Sequence, residues 1–198
     1  MAIYKNIFKI KHNGLHPARG RILISEPLLQ DSYFQRSVVL LVEHSSQESM
    51  GFILNKKTNL LVNTFFKELE DFPPMPIYLG GPVSPNRLFF IHSLGEDLIP
   101  GACRIKDHLF FDGDFNALKE YIVSGQSIEG KVKFFLGYSG WNKGQLDNEI
   151  SRNSWAVGKK VDLDLIQANG DAFWKSSVET LGIGYQTWTK YPKDPSLN

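Results

Sequence analysis

A chain of 198 residues with 42% hydrophobic and 22% charged side chains is long enough to bury a core within one domain and has an ordinary globular composition. Its 22 basic and 21 acidic residues leave a net charge of +1, without the basic stripe that grips a phosphate backbone, so direct nucleic-acid binding is not expected. A single cysteine, Cys103, rules out an intramolecular disulfide and a cysteine metal knuckle, and no run approaches the roughly 20 apolar residues of a membrane helix.

Residues 1–11 mix lysines with single apolar residues and lack the continuous apolar stretch of a secretion signal, which makes the cytoplasm the expected compartment and a membrane partner unexpected. Residues 1–18 are polar and read as an N-terminal arm. A first strand spans 21–26 and stops at Pro27. Asp31 is placed to cap the short turn that follows, and Arg36 to make an ion pair or reach a loop carbonyl. The run Val38-Val39-Leu40-Leu41-Val42 predicts a central strand over 37–43, buried on both faces. A third strand is expected over 50–55.

Leu61, Phe65, Phe66 and Leu69 recur at helical spacing and predict a helix over 60–70, ended by Pro73, Pro74 and Pro76. A short strand over 77–79, a Gly80-Gly81-Pro82 turn and a buried strand over 88–92 come next. Short strands over 102–105 and 108–111 precede a helix capped by Asp114 and stopped by Gly125. A strand over 132–136 leads into Gly137-Tyr138-Ser139-Gly140-Trp141, which reads as a glycine-rich turn before a helix-like run over 145–155. A last helix begins at Asp171 and stops at Gly182. The expected fold class is α+β: a central mixed β-sheet flanked by helices, in a single domain over 19–190 with a subdomain over about 88–130 as an option, and a frayed tail over 191–198.

A strand–glycine turn–helix junction can aim backbone N–H groups at an anion, and fits equally a tight crossover packed against its own tryptophan. As a nucleophile elbow it fails, because Trp141 stands where that motif needs glycine. Gly80-Gly81 with Arg87 nearby is a second such turn without a P-loop ending. His44 and His92 close two strands; were those strands parallel neighbours, both rings would emerge at one sheet edge, whereas the plainer expectation is that each bonds a loop carbonyl. Cys103 is expected to be a buried small hydrophobe. The candidate binding set is therefore Arg36, His44, Gly80, Gly81, Arg87, His92, Trp141 and Gln145, with no catalytic residue, metal or cofactor assigned.

In this order, several segments together resemble the YqgE/AlgH family of small bacterial proteins. They are Leu23-Ile24-Ser25-Glu26-Pro27, Asp31, Phe34-Gln35-Arg36-Ser37-Val38-Val39, Glu43-His44, Met50-Gly51-Phe52-Ile53-Leu54-Asn55-Lys56, Gly80-Gly81-Pro82-Val83, Phe90-Ile91-His92-Ser93, and Leu136-Gly137-Tyr138-Ser139-Gly140-Trp141 with Lys143-Gly144-Gln145-Leu146, Glu149-Ile150 and Trp155. The resemblance implies an α+β protein without an established biochemical activity, under the label of putative transcriptional regulator. Ser49, Lys57 and the residues past Gly182 depart from the family pattern. The expected function is a non-enzymatic binding or regulatory protein with a small-molecule or protein partner. The alternative is a hydrolase or transferase with His44 or His92 as general base, and a DNA-binding regulator ranks third.

Overall fold

In the computed structural model, which describes residues 13–159 and 165–192, the five residues Val38 to Val42 have no solvent exposure at all. They belong to β2 (Val38–His44), which lies between β1 (Ile22–Ser25) and β3 (Glu48–Ile53). Period-2 alternation sends Val38, Leu40 and Val42 to one apolar cluster and Val39 and Leu41 to another, as a strand covered on both faces requires.

The remaining strands are β4 (Lys57–Leu61), β5 (Pro76–Leu79), β6 (Val83–His92), β7 (Cys103–Lys106), β8 (Leu109–Phe111), β9 (Val132–Asn142) and β10 (Trp155–Gly158). They form one 10-stranded sheet in the order β10-β1-β2-β3-β9-β6-β8-β7, with β5 paired to β9 and β4 to β5. Every pairing is antiparallel except that of β5 with β9. The architecture is the expected mixed α+β. One face is covered by α3 (Gly170–Glu179) and a 3-10 helix, Ile183–Lys190, through Trp174, Val178, Tyr185 and Trp188. The other face is covered by α1 (Phe115–Val123) over one half of the sheet and by α2 (Gln145–Ser151) over the other. Asp114 caps α1, its carboxylate accepting from the Asn116 and Ala117 amides.

The segment expected as a glycine turn is not a turn. β9 continues through Gly137, Tyr138, Ser139, Gly140 and Trp141, and Gly137 bends it at φ +66° without ending it. One edge of β9 is shared by two strands: β5 pairs with Phe134, Phe135 and Leu136, and β3 pairs with Ser139 to Asn142. At the handover Gly80 donates its amide to the Leu136 carbonyl and accepts from the Ile53 amide and the Ser139 hydroxyl. From there Gly80-Gly81-Pro82 crosses over β9 to enter β6 on the opposite edge, where Val83 faces Tyr138. This three-residue link spans two strand spacings, about 10 Å, so it must lie directly on the β9 backbone. A Cβ on Gly80 would strike the Gly137 carbonyl, and one on Gly81 the Tyr138 backbone; one on Gly137 would stand 2.5 Å from the Gly81 oxygen and 2.8 Å from that of Val83.

Three further departures have local causes. The helix expected over 60–70 is instead β4 followed by 3-10 turns at Val62–Thr64 and Lys67–Leu69. The Asn63 side chain donates to the carbonyls of Leu69 and Phe72 and accepts from the Met75 amide, taking backbone groups that a helix would have needed. The helix-like run over 145–155 ends at Ser151, and after Asn153 (φ +64°) the chain enters β10. Cys103 is exposed on β7 and not buried. Of the expected arm and tail, residues 1–12 and 193–198 lie outside the described residues, whereas Asn13 donates to the Val157 carbonyl and Leu15 packs against the third apolar cluster.

The crossing is directly testable. Gly137 and Gly101 share a left-handed backbone, φ +66° and +75°, but only Gly137 is crowded. In urea melts, Gly137→Ala should cost about 3 kcal/mol, from clash added to backbone strain, and Gly101→Ala about 1 kcal/mol. Equal costs would contradict the role of the crossing.

Candidate functional site

Most of the sequence-derived candidates are structural clamps. Arg36 is 5% exposed with φ +50°. Its guanidinium donates to the Tyr191 carbonyl at 2.7 Å, lies 3.4 Å from an Asp171 carboxylate oxygen and sits 5.1 Å over the Trp174 ring. It thereby ties α3 and the chain beyond it to the start of β2. Gly80 and Gly81 form the crossing. The Trp141 indole is buried and donates to Glu149 Oε2 at 2.9 Å, Trp155 donates to the same oxygen at 2.8 Å, and Gln145 donates to Glu149 Oε1 at 2.9 Å. Glu149 thus staples α2 to the sheet, and α2 has only seven residues.

The two histidines do not converge. β2 and β6 are separated by β3 and β9 and run in opposite directions. His44 lies opposite Ser49, itself opposite Trp141, while His92 lies opposite Val132. Those registers are nine residues apart on β9, about 30 Å along an extended strand. His92 has no exposure; its Nδ1 accepts from the Leu94 amide and its Nε2 lies 3.2 Å from the Asp112 carbonyl, which fixes the proton on Nε2. Burial lowers its pKa below the ordinary histidine value, with the Asp112 carbonyl opposing in part, so the ring is neutral and fully engaged. Arg87 is exposed and pairs with the Asp112 carboxylate at 3.3 Å. His44 lies at a recess of about 350 Å³ beside Ser49 and Gly144, its Nδ1 2.7 Å from the Ser49 hydroxyl.

A different departure from ordinary packing is a buried lysine, Lys133. This lysine is 3% exposed, in the middle of Val132-Lys133-Phe134-Phe135-Leu136. Strand periodicity places it on the same side of β9 as Phe135, across from the fully buried Ile91. Its ammonium donates to the carbonyls of Ile166, at 3.1 Å, and Ala168, and stands 3.5 Å over the Tyr78 ring. Among the described residues no carboxylate pairs with it. Burial alone brings its pKa down to about 7.

Lys133 lines a cleft of about 560 Å³, within the size range of small-molecule sites. One wall is the stretch 72–76 with its three prolines, the other is the loop 125–130 after α1, and Phe134 and Ile166 complete the apolar lining. Proline fixes the first wall because its φ is preset. Sequence reasoning passed over Lys133 inside an apparently apolar strand; the available signal was a charge at an inward position of a strand apolar on both faces.

The lysine gives the fold a pH signature. Its folded pKa of about 7 lies below the value of about 10.4 in an unfolded chain, so between those values the unfolded state holds the extra proton and stability rises with pH. Below pH 7 both states are protonated and this contribution is flat at its minimum. His92 is shifted down and Tyr78 up, each for reasons of burial, so neither titrates in the window. In urea melts, wild type should gain about 2 kcal/mol on Lys133→Met from pH 7 to pH 9. A pH-independent difference would contradict a buried, desolvated ammonium.

A family model described as AlgH-like matches residues 22–186. A UPF0301 protein of Parabacteroides distasonis is 67% identical over 198 residues, covering 100% of both chains, and a UPF0301 protein of Bacteroides fragilis is 46% identical over the same full lengths. The solution structure of the AlgH protein from Pseudomonas aeruginosa superposes with a TM-score of 0.68 at 26% identity, covering 90% of this chain and 98% of that one. A crystal structure of a Corynebacterium diphtheriae protein shares the fold, with a TM-score of 0.73 at 22% identity over 89% and 94% of the two chains. Among the described residues no helix is long and apolar enough to cross a membrane. With the model match running from β1 into the 3-10 helix that follows α3, the chain belongs to the AlgH-like family.

Proposed function

We propose that this protein is a non-enzymatic binding or regulatory protein of the cytoplasm that takes a small molecule in the Lys133 cleft. One observation carries this: a primary amine that is 3% exposed lines a cleft of ligand size without an acidic partner among the described residues. Binding sites are concave, mostly apolar and furnished with few polar groups, often with perturbed acidity. Any regulatory effect is assigned to that binding and not to DNA contact, in keeping with a net charge of +1. The test is a fragment screen read by amide chemical shifts on wild type and Ile128→Trp, which fills the cleft from its half-buried loop wall. Hits should move amides within 72–78 and 125–134 and vanish in the variant. Hits elsewhere only, or hits that persist in Ile128→Trp, would remove the cleft as the site.

A second reading rests on the 2.7 Å contact between His44 Nδ1 and the Ser49 hydroxyl. A histidine bonded to a serine can act as its general base in acyl transfer. The two residues are also simple cross-strand neighbours, which accounts for the contact without chemistry. Exposure to an alkyl fluorophosphonate followed by intact-mass measurement should leave Ser49 unlabelled. Labelling abolished both by Ser49→Ala and by His44→Ala would put acyl transfer in place of the first reading.

A further inference from the structure

We infer that the occupant of the Lys133 cleft is a small organic monoacid, its carboxylate meeting the Lys133 ammonium and its apolar body lying against the apolar lining of the cleft. This rests on the cleft being a binding site, as proposed above. The four ion pairs among the described residues pass Lys133 by. Among the described residues its neighbours are two backbone carbonyls and the Tyr78 ring, which satisfy hydrogen-bonding and supply no carboxylate. A buried charge is ordinarily paired with an opposite one. A methionine would fill the same space without the penalty; the ammonium adds a cation held in a dry site, where a carboxylate contact is stronger than in water.

The rest of the lining selects among anions. The cleft walls are apolar at Phe72, Met75, Ile122, Ile128, Phe134 and Ile166, which demands an apolar body. No arginine lines the cleft, so a phosphate dianion would meet one cation and no bidentate donor, whereas a monoanion is matched. Among the described residues the charged and titratable groups lining the cleft are Tyr78 from β5, Lys133 from β9 and the exposed Glu129 from the loop after α1, while the 165–168 segment supplies carbonyls.

The pairing has a proton signature. Lys133 sits near pH 7 when the cleft is unpaired, and a carboxylate beside it restores the charged form, so an acid bound at pH 8 draws a proton from solution. The experiment is isothermal titration of the full chain with 4-phenylbutyrate and with its primary amide at pH 8, in Tris and in HEPES. The heat difference between the buffers counts the protons, and amide shifts locate the binding. The acid should bind about tenfold or more tighter than the amide, the scale of a charge-assisted contact, and should take up close to one proton. Lys133→Met should erase both effects and keep the amide's affinity.

Equal binding of acid and amide in the cleft would overturn the monoacid inference while leaving the binding site intact. An acid preference without proton uptake, or one surviving Lys133→Met, would overturn it too. Absence of any cleft shift with either compound, joined to a failed fragment screen, would remove the site itself. Should Lys133→Met fail to fold, proton uptake by wild type against the amide control decides the matter alone.

Discussion

Two backbones cross in contact at Gly80-Gly81 and Gly137, and the sheet is organised around that crossing. β9 serves β5 and β3 along one edge and β6 along the other. The link from β5 to β6 passes over β9 in three residues, so side chains at the contact are excluded by space before any question of propensity arises. Because Gly80 bonds Leu136 and Ile53 while Gly137 bends β9, the strands around β2 and those around β6 share one continuous hydrogen-bonded frame. The apolar clusters then follow from alternation along strands whose register the crossing has set.

That frame also explains which polar residues cluster and why. Arg36, Asn55 and Glu149 each gather backbone or side-chain groups from segments distant in sequence. Asn55 alone bonds the Val38 amide and the carbonyls of Arg36 and Gly170. Such residues fix loop and helix ends where regular ladders stop; Asn55 and Glu149 are satisfied by what they hold together, whereas the buried Arg36 Nε has no hydrogen-bond partner among the described residues. Lys133 differs because its carbonyl partners, joined by no carboxylate among the described residues, hold a buried charge that lines a cleft.

How much was legible in the sequence follows the same division. The double-faced burial of Val38 to Val42, the Asp114 cap and the helix near Asp171 were readable because local pattern and tertiary role agree there. The stretch Gly137 to Gly140 misled because two glycines signal a turn in local terms, whereas here Gly137 makes room for the backbone of the crossing link and Gly140 meets only the Tyr138 and Val83 side chains. The run 60–70 misled because helical spacing of Leu61, Phe65 and Leu69 was outweighed by the Asn63 side chain and by pairing of β4 with β5. Glycines and histidines at strand ends drew notice as ligand contacts, although strand order places His44 and His92 far apart. Lys133 was overlooked because its burial depends on segments 33 and 35 residues away.

If β9 joins both halves through the crossing, the amides around it must open together. Native-state hydrogen exchange in low denaturant measures this directly for Gly80, Ile53 and the ladder amides of Val132–Asn142. A single shared opening free energy, equal to that of global unfolding, is the predicted result. Separate opening of the Phe134–Leu136 and Ser139–Asn142 stretches, each with its own denaturant dependence, would contradict it.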